Sequence, residues 1–373
     1  GESSSPIVDW VRICLLAPFR ALHSAFSIQY SVFDCYLVEM GIDEPTPPKN
    51  MGYLLTILRP DIGVILNALP VHTQQFDSVK SIAAEKGKLI TENQNLKYAI
   101  LNADQPEIAS LKPTNEANII TFGEKKNSNI AVESITSSLK GTLISLFINH
   151  KSYFTNLRGL VLPEFYGHTI AAAFAVASAL SINLEDAGKA ISKGFTLPPG
   201  RGRIFEGIKN TTIIDSSYNA SGETMIGSLN MLQQIGKNKI KIAVLGDMRE
   251  LGSQAEIEHL KVAETAVKIA DKIILIGPLM KEYALPIITQ SKLPVEWFAT
   301  AGEAANYLLE GSHPSNNHNQ DAILQGNEII LVKGSQNTIF LEIVVEALLK
   351  NKSDVENLCR RGKFWDKKRL AYQ

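Results

Sequence analysis

The sequence lacks the features that mark membrane and exported proteins. A membrane-spanning helix needs about 20 largely apolar residues. The most apolar early stretch, residues 11–26, is interrupted by Arg12, Pro18, Arg20 and His23. The first residues also lack the basic segment and unbroken apolar core of a signal peptide. We therefore expect neither membrane insertion nor export.

Cysteine is scarce, and neither sign of charge is in excess. The three cysteines, Cys14, Cys35 and Cys359, form no CxxC pair, which indicates a reducing compartment. The 37 Lys and Arg residues nearly balance the 38 Asp and Glu residues, so no overall charge attracts nucleic acid or an anionic membrane. These features predict a cytoplasmic protein that holds any anionic ligand locally.

A phosphate-binding loop and an initiator methionine are also missing. The loop has the form GxxxxGK[ST], but no Gly-Lys pair in this sequence is followed by Ser or Thr. The chain starts with Gly1 rather than Met. We expect that it begins partway through a longer protein.

The pattern that is present predicts two α/β domains. A chain of 373 residues exceeds the roughly 250 to 300 at which single cores stop growing. Short β-branched strands alternate with helical periodicity, which is typical of parallel α/β sheets. The predicted strands are residues 36–41, 62–67, 211–215, 242–247, 272–277 and 329–334.

A segment rich in Pro and Gly, residues 196–202, separates an Ala-rich predicted helix (169–180) and its successor from the strand at 211–215. Such composition is typical of a domain boundary. We divide the chain into residues 1–198 and 199–373, and we expect an exposed loop at 312–327.

A first group of polar residues follows the predicted strands, where parallel sheets place their ligands. Glu39 lies in Glu-Met-Gly, Asn67 precedes His72 by five positions, and Lys86 lies in Ala-Glu-Lys-Gly. Taken singly, each is most simply a loop charge, a satisfied histidine or the solvated face of a helix. Their order and spacing resemble the middle domain of the Mur ligases.

The resemblance implies a metal site and a nucleotide contact. Glu39 and His72 would bind Mg²⁺ together with a carbamylated Lys86, and Asn67 would bind the nucleotide. Carbamylation turns a cation into an anionic oxygen ligand, which suits a hard ion that also bridges phosphates. The lysine must be neutral to react with carbon dioxide, and burial favours the neutral form.

A second group lies beyond the predicted boundary. It comprises Gly202-Arg203, the segment 214–220 with Asp215, Tyr218 and Asn219, and Gly-Asp-Met-Arg-Glu-Leu-Gly at 246–252 followed by His259. This set resembles the C-terminal domain of those Mur ligases that add D-alanyl-D-alanine.

The second resemblance implies that Arg203, Asp215, Tyr218 and Asn219 approach the nucleotide. Arg203 would neutralise a transferring phosphoryl group through its fixed fork of donors. The alternative for Arg203 is a solvated charge in a linker. His168 occupies the His of the family's adenine-contacting motif.

Two C-terminal segments have competing interpretations. Lys333-Gly-Ser335 resembles the family's Lys-Gly-Ser-Arg and would hold the carboxylate of an incoming dipeptide at a helix N-terminus, or it forms a structural turn. The basic, aromatic tail at 360–369 has the composition of a nucleic-acid or lipid patch, but we favour a solvated helix end.

The sequence departs from the family at several polar positions. Thr169 and Ala172 replace two Asn residues beside His168, Ser216 replaces an Asp, and Ser221-Gly222 replaces Asn-Pro. Each change removes a polar contact worth on the order of 1 to 3 kcal/mol if buried.

The resemblance, from about residue 33 to 347, implies a P-loop-type central domain lacking its first strand and loop, then a Rossmann-like domain with a mostly parallel sheet. It implies a monomeric, ATP- and Mg²⁺-dependent amide ligase of peptidoglycan precursor synthesis. ATP would phosphorylate the carboxylate of UDP-N-acetylmuramoyl-tripeptide, and the amine of D-alanyl-D-alanine would attack the acyl phosphate. Without a phosphate-binding loop, this polypeptide is expected to bind ATP poorly.

Two alternatives stay open. One is another amide ligase of the same superfamily, of the polyglutamate or cyanophycin type. The other is a non-catalytic binding subunit that keeps the fold and has lost the nucleotide pocket, as Thr169, Ala172 and the missing loop suggest.

Overall fold

A computed structural model describes residues 35–69, 75–76, 78–311, 323–335 and 339–370. By its internal contacts the chain divides after Gly41. Residues 35–41 form no helix or strand, and Tyr36 and Leu37 are exposed. The strand predicted at 36–41 is therefore wrong: an extended segment outside a sheet has no ladder to pair its backbone groups, so its β-branched composition alone does not make it a strand.

The first sheet has six strands in the order β1-β2-β3-β4-β5-β6. They are β1 (Ile62–Ile65), β2 (Tyr98–Asn102), β3 (Asn118–Gly123), β4 (Ile130–Ser138), β5 (Gly141–Ile148) and β6 (Lys151–Arg158). Strands β1 to β4 pair in parallel, whereas β4, β5 and β6 form an antiparallel meander. The β5–β6 turn uses Asn149 and His150, both with positive φ, as a two-residue hairpin requires. The parallel α/β pattern that we expected thus holds for β1 to β4, and the antiparallel meander is an addition to it, because tight turns join neighbouring strands without a crossover helix.

Helices cover this sheet: α1 (Met51–Ile57), α2 (Val79–Thr91), α3 (Pro106–Ala109), α4 (Tyr166–Ala179) and α5 (Leu184–Gly194). Helix α4 is the predicted Ala-rich helix, and it is apolar on most of its surface because it is buried. Phe174 of α4 packs with Ile100, Phe122 and Ile144 of the sheet in one core. Small alanines let α4 approach the sheet closely, which brings its N-terminus to the carboxyl ends of the parallel strands.

The second sheet has the order β11-β10-β9-β12-β8-β7. Its strands are β7 (Arg203–Glu206), β8 (Thr212–Ser216), β9 (Ile240–Gly246), β10 (Lys272–Ile276), β11 (Val295–Phe298) and β12 (Glu328–Lys333). All pairs are parallel except β7 with β8. The predicted strands from 211 onward are confirmed to within two residues, as is the mostly parallel sheet.

Helices lie on both faces of the second sheet, as near-continuous apolar strands require. They are α6 (Gly222–Ile235), α7 (Ala255–Ile269), α8 (Leu285–Gln290), α9 (Ala301–Glu310), α10 (Glu342–Leu348) and α11 (Lys363–Arg369). Met225 and Leu229 of α6 share one core with Val262 of α7, and Leu308 of α9 shares the opposite core with Val344 of α10. Helix α10 is the helix that follows Lys333-Gly-Ser335, and most of the loop predicted at 312–327 lies outside the described residues.

The parallel register brings three polar residues to one edge of the second sheet. Lys333 pairs with Ser216 on one side and Leu245 on the other, so it lies level with the ends of β8 and β9. Asp215 and Asp247 stand at those two ends. The expectation that Asp247 and Lys333 mark the carboxyl edge of the sheet is confirmed.

The tail is only partly the solvated helix end that we expected. Phe364 and most of α11 are exposed, but Arg360 and Arg369 are 7% and 6% exposed. Each is paired with a glutamate of α10, Glu342 or Glu346, because a buried guanidinium needs an opposite charge and hydrogen-bond partners. Within the described ranges, no helix is both long and apolar enough to span a bilayer.

Candidate functional site

The first part of the site lies around Lys86, which helix α2 positions. The helix starts at Ser78, whose side chain forms a capping box with Ser81. Lys86 Nζ donates a hydrogen bond to the backbone oxygen of Asn67 at 2.9 Å. Burial lowers the pKa of the Lys86 amine. The structure thus joins two of the predicted site residues and makes the amine easier to neutralise.

The other two predicted metal ligands cannot be placed beside Lys86. Glu39 is exposed in a stretch without regular structure, and His72 lies outside the described residues. Over the described ranges, no three His, Cys, Asp or Glu side chains are grouped to hold a metal ion. The half-buried Lys86 fits the chemistry of a carbamylated ligand, whereas the three-ligand set stays a prediction.

His168 is held at the start of α4 by a hydrogen bond with Asp104. Its Nε2 lies 2.7 Å from Asp104 Oδ2, with both side chains about one quarter exposed. Burial acts to raise the pKa of Asp104, but hydrogen bonds from the amides of Glu124 and Lys125 and from His168 outweigh it, so the pKa is lowered. Asp104 therefore fixes both the turn after β3 and the orientation of the predicted adenine-contacting histidine.

The two Gly-Arg pairs before β8 place their arginines differently. Gly200 adopts φ +74°, and Tyr218 donates its backbone N–H to the Gly200 oxygen at 3.0 Å. The guanidinium of Arg201 lies over the Tyr218 ring, 4.7 Å from its centre. Arg203, the predicted phosphate ligand, lies in β7 with its guanidinium 5.3 Å from the centre of the Phe205 ring. Both arrangements are cation–π contacts, but only Arg201 rests on a second predicted site residue.

Asp215 is fully buried and shapes the loop that follows β8. Its Oδ1 accepts from the Ser217 amide at 3.1 Å and from the Ser217 hydroxyl at 2.6 Å. Its Oδ2 has no hydrogen-bond partner among the described residues. Burial raises the pKa of Asp215, although the bonds from Ser217 and the charge of Arg360 oppose the rise. The carboxyl group directs the loop in which Tyr218 and Asn219 lie.

Lys333 and Ser335 tie this loop to the end of β9. Lys333 Nζ donates to the Asn219 oxygen at 3.0 Å. The Ser335 hydroxyl donates to the Ala220 oxygen at 3.3 Å and accepts from the Arg249 amide at 3.0 Å. Burial, with the nearby charge of Arg201, lowers the pKa of Lys333 to about 8. The structural-turn interpretation describes these contacts, and the dipeptide-carboxylate interpretation stays a prediction.

Hydrogen bonds of two buried side chains hold the Gly-Asp-Met-Arg-Glu-Leu-Gly motif in place. Asp247 Oδ1 accepts from the Met280 amide at 2.7 Å, and burial raises the pKa of Asp247 to about 6. His259 donates through Nδ1 to the Ala255 oxygen at 2.6 Å and accepts from the Met248 amide at 3.1 Å. That pattern fixes a neutral imidazole, and burial lowers its pKa. Asp247 and His259 therefore hold the loop in place.

Loops of the two sheets face one another across a cleft. Burial raises the pKa of Tyr166 in α4, and the charge of Arg201 from the second half of the chain opposes that rise. Burial likewise raises the pKa of Glu223 in α6, and the proximity of His168 in α4 opposes that rise. A cavity of about 350 Å³ is lined by Leu69 of the first half of the chain and otherwise by residues of the second half, among them Ser221, Gly222, Glu223 and Glu258. Contacts such as the 3.0 Å hydrogen bond from Gln234 to Glu164 join the walls.

Sequence reasoning missed two arginines at this site. Arg201 was passed over because Gly-Arg occurs twice in four residues, and the second copy was chosen. Arg360, which contacts the loop after β8, was assigned to a solvated tail. The repeated dipeptide was a usable signal for Arg201, whereas the burial of Arg360 depends on packing against α10.

Family models match both halves of the chain. The Mur ligase middle domain matches residues 28–177, and the Mur ligase glutamate ligase domain matches residues 200–336.

Individual proteins are similar over most of this chain. UDP-N-acetylmuramoyl-tripeptide--D-alanyl-D-alanine ligase of Rickettsia prowazekii is 23% identical over 321 residues, covering 85% of this chain and 66% of the relative. The ligase of that name from Buchnera aphidicola subsp. Baizongia pistaciae is 28% identical over 321 residues, covering 84% and 64%. The MurF ligase from Thermotoga maritima in complex with ADP has a TM-score of 0.66 at 20% identity, covering 82% of this chain and 65% of that structure. The chain thus spans about two thirds of the length of these relatives.

Proposed function

Because the chain belongs to the Mur ligase family, we propose that this protein adds D-alanyl-D-alanine to UDP-N-acetylmuramoyl-tripeptide in the cytoplasm, as a monomer. ATP would transfer its γ-phosphoryl group to the tripeptide carboxylate and leave as ADP. The dipeptide amine would then attack the acyl carbon, and phosphate would leave as the amide forms and the amine loses a proton.

One observation carries this proposal above the others. Relatives named for this reaction align with both sheets at once, and the loops that resemble the family face one cleft. The Gly-Asp-Met-Arg-Glu-Leu-Gly motif, which disfavours ligases of the polyglutamate and cyanophycin types, forms part of the second sheet's carboxyl edge. A likeness confined to one domain would support only a shared fold.

Lys86 has the surroundings that the proposal requires. Its amine is half-buried and 2.9 Å from a backbone oxygen, and its lowered pKa increases the neutral fraction that reacts with carbon dioxide. We propose that the carbamylated Lys86, with Glu39 and His72, holds Mg²⁺. Bound there, the ion would offset negative charge on the phosphates of ATP.

Two residues are candidates for the arginine that neutralises the transferring phosphoryl group. Arg203 is the residue that the family pattern indicates, and it stays a prediction. Arg201 is exposed on the Tyr218 ring, and its charge acts on Tyr166 across the cleft. We propose Arg201 as the arginine that meets the transferring phosphoryl group, because its guanidinium lies over Tyr218 of the second half of the chain and its charge opposes the rise in the pKa of Tyr166 of the first half.

One observation favours the binding-subunit alternative. Ala172, which stands where the family has Asn, is 4% exposed and packs in the core between α4 and the first sheet. It supplies no side-chain hydrogen bond to an adenine ring. That alternative predicts ligand binding without turnover.

The choice of amine tests the proposed reaction. The protein as its gene encodes it would be incubated with ATP, Mg²⁺ and UDP-N-acetylmuramoyl-tripeptide, together with D-alanyl-D-alanine, L-glutamate or L-aspartate. Mass spectrometry should show the pentapeptide product with D-alanyl-D-alanine alone. A glutamate or aspartate adduct would assign the protein to another ligase type, and no adduct with any amine would favour the binding subunit.

A further inference from the structure

The C-terminal tail reaches the candidate site although it lies beyond the family match. The matched region ends at residue 336, whereas Cys359 and Arg360 pack under the loop of residues 215–219, which we call the Tyr218 loop. The Cys359 thiol lies 3.6 Å from the Ser217 hydroxyl. The loop is therefore supported by residues that the family pattern does not cover.

Arg360 holds the backbone of the Tyr218 loop directly. Its Nη2 donates to the Tyr218 oxygen at 2.7 Å, and its Nη atoms lie 3.4 Å from the Ser217 oxygen. Its Nη1 is paired with Glu342, which is fully buried. A planar fork of donors can bind two oxygens and a carboxylate together, whereas a lysine ammonium is a point charge without that fixed geometry.

The same guanidinium lies beside the Tyr218 ring. Its carbon is 5.5 Å from the ring centre, and that of Arg201 is 4.7 Å from it. Arg360 is buried while Arg201 is exposed, so the ring contacts both an interior and a surface guanidinium. The position of the ring sets the surface on which Arg201 rests.

Holding Arg360 in place has a conformational cost. Its φ of +54° lies in the left-handed region that residues other than glycine seldom adopt. Such a conformation persists where surrounding contacts enforce it, and it is frequent near functional sites. Here the enforcing contacts are the ion pair with Glu342 and the two loop carbonyls.

We propose that Arg360 is a positioning residue that locks the Tyr218 loop and, through the Tyr218 ring, sets Arg201 for the transferring phosphoryl group. The contacts between Arg360 and the Tyr218 loop do not depend on the proposed function. Only the statement that Arg201 meets a transferring phosphoryl group rests on it. Arg360 itself need not touch the nucleotide.

The tail supplies a matched control in Arg369. It is as buried as Arg360 and forms its ion pairs with Glu346, also on α10, and with Asp366. Replacing either arginine by lysine disturbs an ion pair between the tail and α10, although Glu342 is fully buried whereas Glu346 is 37% exposed. Only the change at Arg360 also removes hydrogen bonds to the Tyr218 loop.

Hydrogen exchange in Arg360→Lys and Arg369→Lys tests the locking without any ligand. The Tyr218 amide, which donates to the Gly200 oxygen, should exchange about tenfold faster in Arg360→Lys, as expected on losing one bond from a charged donor. Arg369→Lys should leave that rate within about twofold of the parent. Equal rates in the two variants, or no acceleration in either, would overturn the proposal.

Steady-state kinetics on the protein as its gene encodes it tests the consequence for Arg201. Arg360→Lys should lower kcat by about tenfold or more while the KM for D-alanyl-D-alanine changes little, because positioning acts on the transition state. Arg369→Lys should leave kcat near the parental value. An unchanged kcat in Arg360→Lys, with the loop loosened, would overturn the link to Arg201.

A second pair of variants and the ligand-free exchange measurement cover the cases in which Arg360→Lys does not fold or the parent shows no turnover. If Arg360→Lys does not fold, Glu342→Gln against Glu346→Gln gives the same comparison, with faster exchange at Tyr218 expected in the first alone and equal rates contradicting the lock. If the parent protein shows no turnover, the proposed function fails while the exchange comparison still decides whether Arg360 locks the loop.

Discussion

At the scale of single residues, burial determines what each charged side chain of the site can do. Lys86 and Lys88 lie on the same helix, but Lys88 is paired with Glu85 at 2.7 Å, whereas Lys86 reaches a backbone oxygen. Desolvation without a countercharge favours the neutral amine, and burial accordingly lowers the pKa of Lys86. The surroundings of Lys86 therefore favour reaction of its amine with carbon dioxide.

Lys86→Ala should lower ligation by on the order of a hundredfold or more, because it removes a group that acts on developing phosphate charge. Lys88→Ala is the comparison on the same helix and should stay within about threefold of the parent rate, since the Lys88 amine is paired with Glu85 and does not contact the Asn67 oxygen. Initial rates of pentapeptide formation give both values. Undiminished ligation in Lys86→Ala would exclude a catalytic role for this lysine.

The two arginines of the Gly-Arg repeat can be separated in the same way. Arg201→Ala should lower kcat/KM by about a hundredfold, as loss of a charge-assisted contact to a transferring phosphoryl group predicts. Arg203→Ala should have a smaller effect, because its guanidinium lies over Phe205. Rates measured at several ATP concentrations distinguish the two. A larger loss in Arg203→Ala would return the role to the residue that the sequence indicates.

At the scale of elements, the turn at Gly200 determines how the Tyr218 loop packs. A Cβ at Gly200 would lie 2.9 Å from the Tyr218 Cβ and 3.1 Å from the Cys359 sulfur. Gly159 has nearly the same φ, +73°, but a Cβ there would meet no atom within 4 Å. Alanine substitutions at Gly159 and Gly200 therefore separate the cost of backbone strain from the cost of crowding.

Gly159→Ala should lower the free energy of unfolding by about 1 kcal/mol, the cost of a left-handed alanine. Gly200→Ala should lower it by a further 1 to 3 kcal/mol or so, because the methyl group overpacks the turn. Urea unfolding of both variants gives the difference. Equal losses would show that the crowding against Tyr218 and Cys359 is relieved without cost.

The turn after β10 depends on the buried carboxyl of Asp247. Its folded-state pKa of about 6 lies above the unfolded value of about 4. The folded protein therefore binds a proton that the unfolded chain has already lost in this range. By linkage, the free energy of unfolding should fall by up to about 3 kcal/mol as the pH rises from about 4 to about 6.

Asp247→Asn removes this titration while its side-chain oxygen can still accept from the Met280 amide. The stability of the variant relative to the parent should therefore rise as the pH is raised from about 4.5 to 7, by roughly 2 kcal/mol. Denaturant unfolding at both pH values measures the change. A difference that stays constant, or moves the other way, would contradict the assigned titration.

The limits of the sequence-based prediction are also clearest at this scale. Strands β8, β9, β10 and β12 each contain a run of aliphatic residues that stops at or just before a glycine or a polar residue, so pattern alone located them. The meander β4–β6 was missed because its turns carry Leu-Lys and Asn-His rather than a glycine signal. Its recognition depends on pairing between strands, which no local pattern reports.

At the scale of the whole molecule, the two parts of the candidate site were predictable as motifs but not as one cleft. Spacing identified Lys86 and Asn67, and the 2.9 Å contact between them follows from the end of β1 meeting α2. The choice between Arg201 and Arg203, and the burial of Arg360, depend on how β7 and the tail pack. Those are tertiary contacts between segments far apart in the sequence.

The central claim is that this cleft serves a ligase requiring two substrates and ATP. Phosphate release from ATP by the protein as its gene encodes it would be measured with UDP-N-acetylmuramoyl-tripeptide, with D-alanyl-D-alanine, and with both. We expect sustained release only when both are present, because the acyl phosphate forms on the tripeptide and is consumed by the dipeptide amine. No release with both substrates at saturating ATP and Mg²⁺ would contradict the claim and favour a binding subunit.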